Sequence, residues 1–501
     1  MLINKPFVPN STPQQIAVQL KSNKIKVPVI VIISIGLYMT VLPMLTSWAI
    51  LRSQDYRNLI GTVETGENLS EHMAPISIEK IRVVDQSLAN LLGDKVLGAQ
   101  AALGSQVKLG TFNIQKVGSE LYWVAPLLHS GFFKWQKNSQ GTNGYVMVNA
   151  TNERDVKLVQ EINGQKVLIK YQSEAYFFSN LKRHVYFEGF FNCGLTDYTF
   201  EIDDEGRPYW VITKFKKKIG FSGSDAVGVV VVDTQTGQTS EYSIANAPVW
   251  IDRIQPDNFV ETQLNDWGKY VKGYWNFSNE NKLQITEGMS LVYGEDNKSY
   301  WYTGLTSVGA DEATVGFVLV DTRTKKAIWY KQSGATEYAA QNSAIGKIQE
   351  KRYSASSPIP YNINGIPTYV MTLKDDGGLV KMFAMVAIED YTIVGVGNTL
   401  RETLMTYKNA FNMTGNELNV NTTAQKITLN TVLTRISSDV KNGNSFYYFT
   451  VRDYENIFIG SSQISNALPV SSVGDSIEIT FDSDTLGIID ISTFLNKTIE
   501  K

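Results

Sequence analysis

The chain has 501 residues, 43% of them hydrophobic and 19% charged, with a formal net charge of −3 and an isoelectric point near 5.8. That length exceeds one compact domain, and the apolar content excludes disorder over most of it. The charge balance argues against a nucleic-acid binder, which needs a basic face to displace counterions. With Cys193 the lone cysteine, neither an intrachain disulfide nor a cysteine-based zinc site can form. The three histidines, His72, His129 and His184, lie far apart and fall in no metal-ligand spacing.

Residues 1–26 form a polar tail with Lys5, Lys21, Lys24 and Lys26 and no acid. Residues 27–51 carry no charge. At ~1.5 Å rise per residue, they span ~37 Å, enough to cross a ~30 Å hydrocarbon core as one transmembrane helix. Pro43 kinks it, and Arg52 closes it. The lysines before the span outnumber the arginines close behind it, so the N-terminus is expected in the cytoplasm and the body outside. No later stretch is apolar for long enough, so the expectation is a single-pass protein.

Residues 52–75 read as a juxtamembrane linker. A helix is expected over 78–92, where Ile81, Val84, Leu88, Leu91 and Leu92 step by three and four and Gly93 stops the pattern. Next comes the most informative stretch. Val227-Gly228-Val229-Val230-Val231-Val232-Asp233-Thr234 returns as Val315-Gly316-Phe317-Val318-Leu319-Val320-Asp321-Thr322, and each follows a Tyr-Trp pair, Tyr209-Trp210 and Tyr300-Trp301. Looser copies run from Tyr122-Trp123 to Val148 and from Tyr369-Val370 to Val386. Short branched runs of this kind are buried strands. Helices are expected behind three copies, over 257–275, 336–350 and 399–411, the first with the stripe Val260, Leu264, Trp267, Val271 and Tyr274. The fold class is therefore α+β: modules at 76–190 and 191–285, two more within 286–411, a linker at 412–426, and an all-β barrel at 427–501.

The strand closing in Val231-Val232-Asp233-Thr234-Gln235-Thr236-Gly237, and less fully Val320-Asp321-Thr322-Arg323-Thr324, resembles the PepSY class of small extracytoplasmic domains. Lys325 stands where that motif has glycine. The resemblance implies modules of cell-envelope proteins and protease propeptides that bind rather than catalyse. The C-terminal strands, with Ile477, Ile479 and Phe481 alternating with polar residues, look like an OB-type barrel. Its six basic and nine acidic residues from 426 onward speak against nucleic acid.

Chemistry-bearing stretches each have a plainer rival. Gly220 to Gly228 is glycine-rich but leads into a strand, whereas a phosphate cradle leads into a helix. Asp203-Asp204-Glu205-Gly206 lacks the distal ligand of a calcium loop. Asp311-Glu312 and Asp375-Asp376 read as solvated turns, and Lys214 to Lys218 as a strand end able to meet lipid headgroups. No catalytic, cofactor-binding or metal-ligating residue is assigned. The expected function is a non-enzymatic, membrane-anchored envelope protein that binds or scaffolds protein partners. The alternatives are a regulator of an extracytoplasmic protease and a hydrolase using paired carboxylates. In a Cys193→Ser background, a cysteine placed in 412–426 should react with a membrane-impermeant maleimide in intact cells; labelling only after lysis would reverse the orientation.

Overall fold

The computed structural model describes residues 23–499 except 68, 70–72, 74–75, 77, 287, 295–297, 310–312, 415–425, 442–443, 463 and 483–487. His72, Asp311-Glu312 and most of the 412–426 linker lie outside the described residues. The chain divides into two compact units, Met1–Leu418 and Asn419–Lys501. It is a mixed α+β protein with many sheets.

One helix, Asn23–Thr46, holds the stretch Lys26–Thr46 that is long and apolar enough to cross a membrane, with Pro28 and Pro43 inside it. The expected span to residue 51 is cut short at Thr46. Pro43 withdraws one helical donor, and Ser47 is held by the body instead: Tyr56 Oη donates to its carbonyl at 2.7 Å and Phe221 N to its Oγ at 2.8 Å. A second helix, Ala49–Asn58, then begins.

The expected juxtamembrane linker is in fact built into the body. The Arg57 guanidinium donates to the Trp267 carbonyl and lies over the Trp267 ring, and Lys325 Nζ donates to Leu59 O at 2.7 Å. Strand Val63–Gly66 then pairs in parallel with Ala327–Tyr330. Sequence alone did not show this, because a four-residue edge strand whose partner lies far along the chain has no local signature.

Four antiparallel sheets follow. In the first, Glu120–His129 pairs with Tyr145–Asn149, in the second Pro208–Ile219 with Ser222–Asp233, in the third Ser299–Ser307 with Gly316–Asp321, and in the fourth Ile366–Lys374 with Val380–Ala387. Tyr209 lies opposite Asp233 and Trp210 opposite Val232; Tyr300 lies opposite Asp321 and Trp301 opposite Val320. Tyr122 and Trp123 face Asn149 and Val148 in the same way. The expected equivalence of Val230 and Val232 with Val318 and Val320 holds in this register.

A set of hydrogen bonds, which we term a clasp, accompanies that register at three places. Ala150 O accepts from Val83 N and Val84 N, Thr234 O from Lys170 N and Tyr171 N, and Thr322 O from Ile254 N and Gln255 N, all between 2.8 and 3.0 Å. The tryptophan of the same sheet closes each one. Trp123 Nε1 donates to Val84 O, Trp210 Nε1 to Tyr171 O and Trp301 Nε1 to Gln255 O. At the first and third clasps the clasped segment thus meets its sheet just before a helix begins, Gln86–Gly98 and Asp257–Lys269, whereas at the second a loop leads on to the helix Leu181–Phe187.

This places the helices differently from the sequence expectation. The stripe Val260 and Leu264 does not pack on Val229 to Val232. It packs on Trp301, Leu305, Val318 and Val320, in the sheet that follows the helix. Val230 and Val232 meet Leu181, Val185 and the first sheet, while Val229 and Val231 meet Ile251 and Ile254 of the connecting loop. Ala340 and Ala344 likewise pack on the fourth sheet, which follows them. An apolar stripe says that a helix is covered on one face and not by which sheet, so the phase was open.

Helix limits moved for local reasons. The 78–92 expectation becomes Gln86–Gly98, because Val83 and Val84 belong to the clasp and Asp85 accepts from Leu88 N at 2.9 Å as N-cap. Gly93 sits inside that helix since a Cβ there would meet the Phe112 ring at 2.7 Å. The 257–275 expectation shortens to Asp257–Lys269 and 336–350 to Glu337–Gly346 behind the cap Thr336; for 399–411 either Asn398 or Thr399 suits as cap from sequence, and Thr399 caps Leu400–Met413.

In the second unit, five strands close into a barrel: Lys426–Lys441, Asn444–Val451, Tyr454–Ser461, Ser476–Asp482 and Ile489–Asn496. The third and fifth strands pair in parallel, and the others are antiparallel. Phe449, Phe458, Ile477, Ile479 and Phe481 fill the interior.

All nine tryptophans precede residue 419, so their emission reports on the first unit alone. Val318→Asp places an unpaired charge at a fully buried position under the helix Asp257–Lys269. It should lower the stability read from tryptophan emission in urea by about 3–5 kcal/mol. An unchanged midpoint would mean that the helix does not cover this sheet.

Candidate functional site

A cavity of about 450 Å³ opens among the first, third and fourth sheets. The clasps build its walls. Trp123 and Trp301 line it, and their indole N–H groups are already bonded to Val84 O and Gln255 O. Arg82 and Arg253 also line it, each being the residue just before a clasped pair. Arg82 lies over the Trp123 ring at 5.8 Å. Met371 and Thr372 of the fourth sheet complete the opposite side.

Several buried polar atoms around the cavity have no hydrogen-bond partner among the described residues: Arg82 Nε, Arg253 Nη2 and Thr372 Oγ1. Both guanidinium charges act on the phenol of Tyr293, whose pKa burial and Asp252 push well above the ordinary value while the arginines oppose them. The two arginines therefore sit near one another. At the rim, Lys374 Nζ donates to the Asp85 carboxylate and to Ser87 Oγ. Burial works to raise Asp85, but the bonds from Lys374 and Leu88 N–H hold it below the ordinary carboxylate value.

Behind the cavity lies a buried acidic cluster that sequence reasoning missed. Glu201 accepts from Thr199 Oγ1 at 2.9 Å, and its other oxygen has no partner among the described residues. Burial pushes its carboxyl up to about 7, against the pull of Arg253. Asp252 accepts from Lys116 N at 2.7 Å and Tyr293 Oη at 3.2 Å, and burial raises it to about 6. Burial alone would lower Arg253, yet Glu201, Asp197, Tyr293 and Asp252 hold it above the ordinary guanidinium value. Gln115 of the first sheet exchanges two hydrogen bonds with the backbone of Ile202 beside this cluster. Glu201 and Asp252 come from a strand and a loop far apart in the chain, and the only signal available was an acid set between Phe200 and Ile202.

The stretches weighed from sequence are not brought together. Gly220-Phe221 is the tight turn of a hairpin whose strand restarts at Ser222. Asp203 accepts from Glu205 N, Arg207 N and Arg207 Nε, which closes its own turn. Asp375 does the same with Leu379 N and pairs with Lys381 at 3.2 Å. Lys214 pairs with Glu241 at 2.6 Å, and Lys216 to Lys218 are exposed beside the turn that touches Ser47. His129 is buried, and burial lowers its pKa. His184 Nε2 is 2.7 Å from Gly237 O. Cys193 Sγ donates weakly to Phe190 O. Among the described residues, no cluster of three or more His, Cys, Asp or Glu is placed to hold a metal.

The other distinctive surface is aromatic. Phe132, Phe133, Trp135, Tyr176 and Phe177 form one run of ring contacts, with centroids 5.0–5.8 Å apart. Phe178, Phe187, Tyr186 and Phe191 form a second run at 5.6–5.8 Å, which begins at the residue after Phe177. Phe133 is 81% exposed, Phe178 72%, and Phe187 and Phe191 64% each.

No protein-family model matches the chain, and no curated protein matches it. Among solved structures it is similar, at 10% identity and a TM-score of 0.17, to a variant of B. megaterium levansucrase, over 88% of this chain and 98% of that one. A likeness that low carries no argument about fold or function.

Glu201 binds its proton more tightly in the folded chain than at the ordinary value of 4.5. Its contribution to stability is therefore full below about 4.5 and is lost as pH rises toward 7, by at most about 1.4 kcal/mol per pH unit. Asp252 acts in the same direction. Glu201→Gln should flatten this decline in urea midpoints measured from pH 4.5 to 8; an unaltered slope would show that Glu201 is ionised throughout.

Proposed function

We propose that the chain is a non-enzymatic, single-pass membrane protein of the cell envelope, with its N-terminus cytoplasmic and its body outside, that binds protein partners through repeated α+β modules. The observation that carries this reading is the exposed aromatic run from Phe132 to Phe191. Nine rings in two runs, most of them over half exposed, present apolar surface of the kind that soluble monomers rarely leave uncovered. Tyrosine, tryptophan and phenylalanine are also the residues that dominate protein interfaces.

The recurring clasp supports the modular part. In each case a clasped dipeptide, a helix, a tryptophan strand and a closing strand follow in the same order. The barrel pairing, with its third and fifth strands parallel, supports an OB-like reading of the second unit. The anchor is supported by Lys26–Thr46 and by the contacts of Phe221 and Tyr56 with Ser47 at its end. Phe221, Trp48 and exposed Lys216 to Lys218 adjoin that point, a mixture suited to a lipid headgroup layer.

The test is in-cell cross-linking followed by capture of the full chain, with Phe178→Asp/Phe187→Asp beside the wild type. Both side chains are mostly exposed, so folding should survive. Wild type should capture specific envelope or membrane proteins, and the double variant should lose them by about tenfold or more. Equal capture by both, or none by wild type, would sink the reading.

A further inference from the structure

We propose that the cavity between the clasps is a ligand site for a carboxylate, held by Arg82 and Arg253 and flanked by the rings of Trp123 and Trp301. This goes beyond partner binding by the aromatic patch and does not rest on it, because the two surfaces share no residue.

The clasp itself needs no arginine. At the second clasp the residue in the same place is Ile169, which is fully buried. Only the two clasps that border the cavity carry arginine there. Each arginine brings an N–H that no protein acceptor satisfies among the described residues, Nε of Arg82 and Nη2 of Arg253; both are closed to solvent, so the side chains must turn toward the cavity to offer them. A buried guanidinium donor left unbonded is costly, and an anionic oxygen is the acceptor that relieves it best. Thr372 Oγ1 supplies a third unbonded hydroxyl on the facing wall.

Charge limits the ligand to a monoanion. Arg253 is already opposed by Glu201, Asp197 and Asp252. Asp85 is matched by Lys374. Exposed Asp257 also lines the cavity. With Asp257 set against Arg82 little net positive charge remains, which admits one carboxylate at the arginines and disfavours a phosphate dianion. The volume of about 450 Å³ admits more than the carboxylate itself. The indole walls select an apolar or aromatic group beside it.

That carboxylate belongs either to a free small molecule or to a peptide side chain. Equilibrium dialysis of the full chain in detergent tests both, using N-acetyl-tryptophan for the first and an N-acetylated, C-amidated peptide with adjacent Trp and Glu for the second. At least one should bind saturably at one site. The matching uncharged probe, N-acetyl-tryptophanamide or the Gln peptide, should bind about tenfold more weakly or worse. Binding of the first probe alone assigns a small molecule, and of the peptide alone a protein segment.

Arg82→Gln should weaken binding about tenfold with an unchanged urea midpoint, since only the Arg82 backbone takes part in the fold's hydrogen bonds. Arg253→Gln risks the acidic cluster, so Thr372→Val serves as the second variant, with a smaller loss expected. Equal binding of charged and uncharged probes, undiminished binding by Arg82→Gln, tighter binding of inorganic phosphate, or no saturable binding below about 10 mM would each overturn the proposal.

Discussion

A single carbonyl oxygen that accepts two consecutive backbone N–H groups fixes most of the first unit. It belongs to Ala150, Thr234 or Thr322, the residue just after the strand opposite the tryptophan strand. An indole N–H from that tryptophan strand then ties down the second residue of the pair. Three strong donors and acceptors are satisfied internally at a point where the chain passes from loop to helix, so no water is needed there. At Ala150 and Thr322, where the helix starts within a few residues, the clasp also sets the height at which its apolar stripe meets the sheet. At Thr322 it is reinforced: the hydroxyl donates to Asp252 O at 2.6 Å, and the Arg323 guanidinium gathers the carbonyls of Ala247, Pro248 and Ile251.

The acidic cluster follows from that geometry. The segment leading into the third clasp brings Asp252 and Arg253 under the second sheet, where Glu201 already points inward. Buried charges of this kind seldom add stability over apolar packing, because desolvation offsets their attraction. Their worth is in specificity, since they suit one arrangement of Gln115, Glu201, Arg253 and Tyr293 and penalise slipped ones. Raised carboxyl values at Glu201 and Asp252 show the compromise reached, in which protons partly replace absent cations.

Strand content and register were legible from sequence because Tyr-Trp and Asp-Thr mark both ends of a two-strand pairing at constant spacing. Thr336 and Thr399 were legible as caps for the same local reason. What escaped was every feature made by residues distant in the chain. Tryptophan in Tyr-Trp read as core packing, and its donor role toward a loop over 39 residues away at the first two clasps had no local mark. Arg82 and Arg253 carried no mark, because nothing nearby in sequence shows that two separate clasps face one cavity. The helix phase failed likewise: Val260 and Leu264 match either neighbouring sheet equally well in hydrophobicity.

The parallel strand Val63–Gly66 has an effect on how the molecule must be made. Its region and its partner are joined by contacts such as Lys325 to Leu59, 266 residues apart. The apolar helix Asn23–Thr46 and the strand behind it are made first, yet the edge that strand is to occupy does not exist until the third sheet has been synthesised. Closing so long a loop is slow and cannot be rewarded early. The first two sheets can condense meanwhile, but the segment that follows the apolar helix stays unlocked until strand Ala327–Tyr330 arrives. The strand nearest the start of the body is thus fixed only once the third sheet is made, while the fourth sheet and the barrel are still to come.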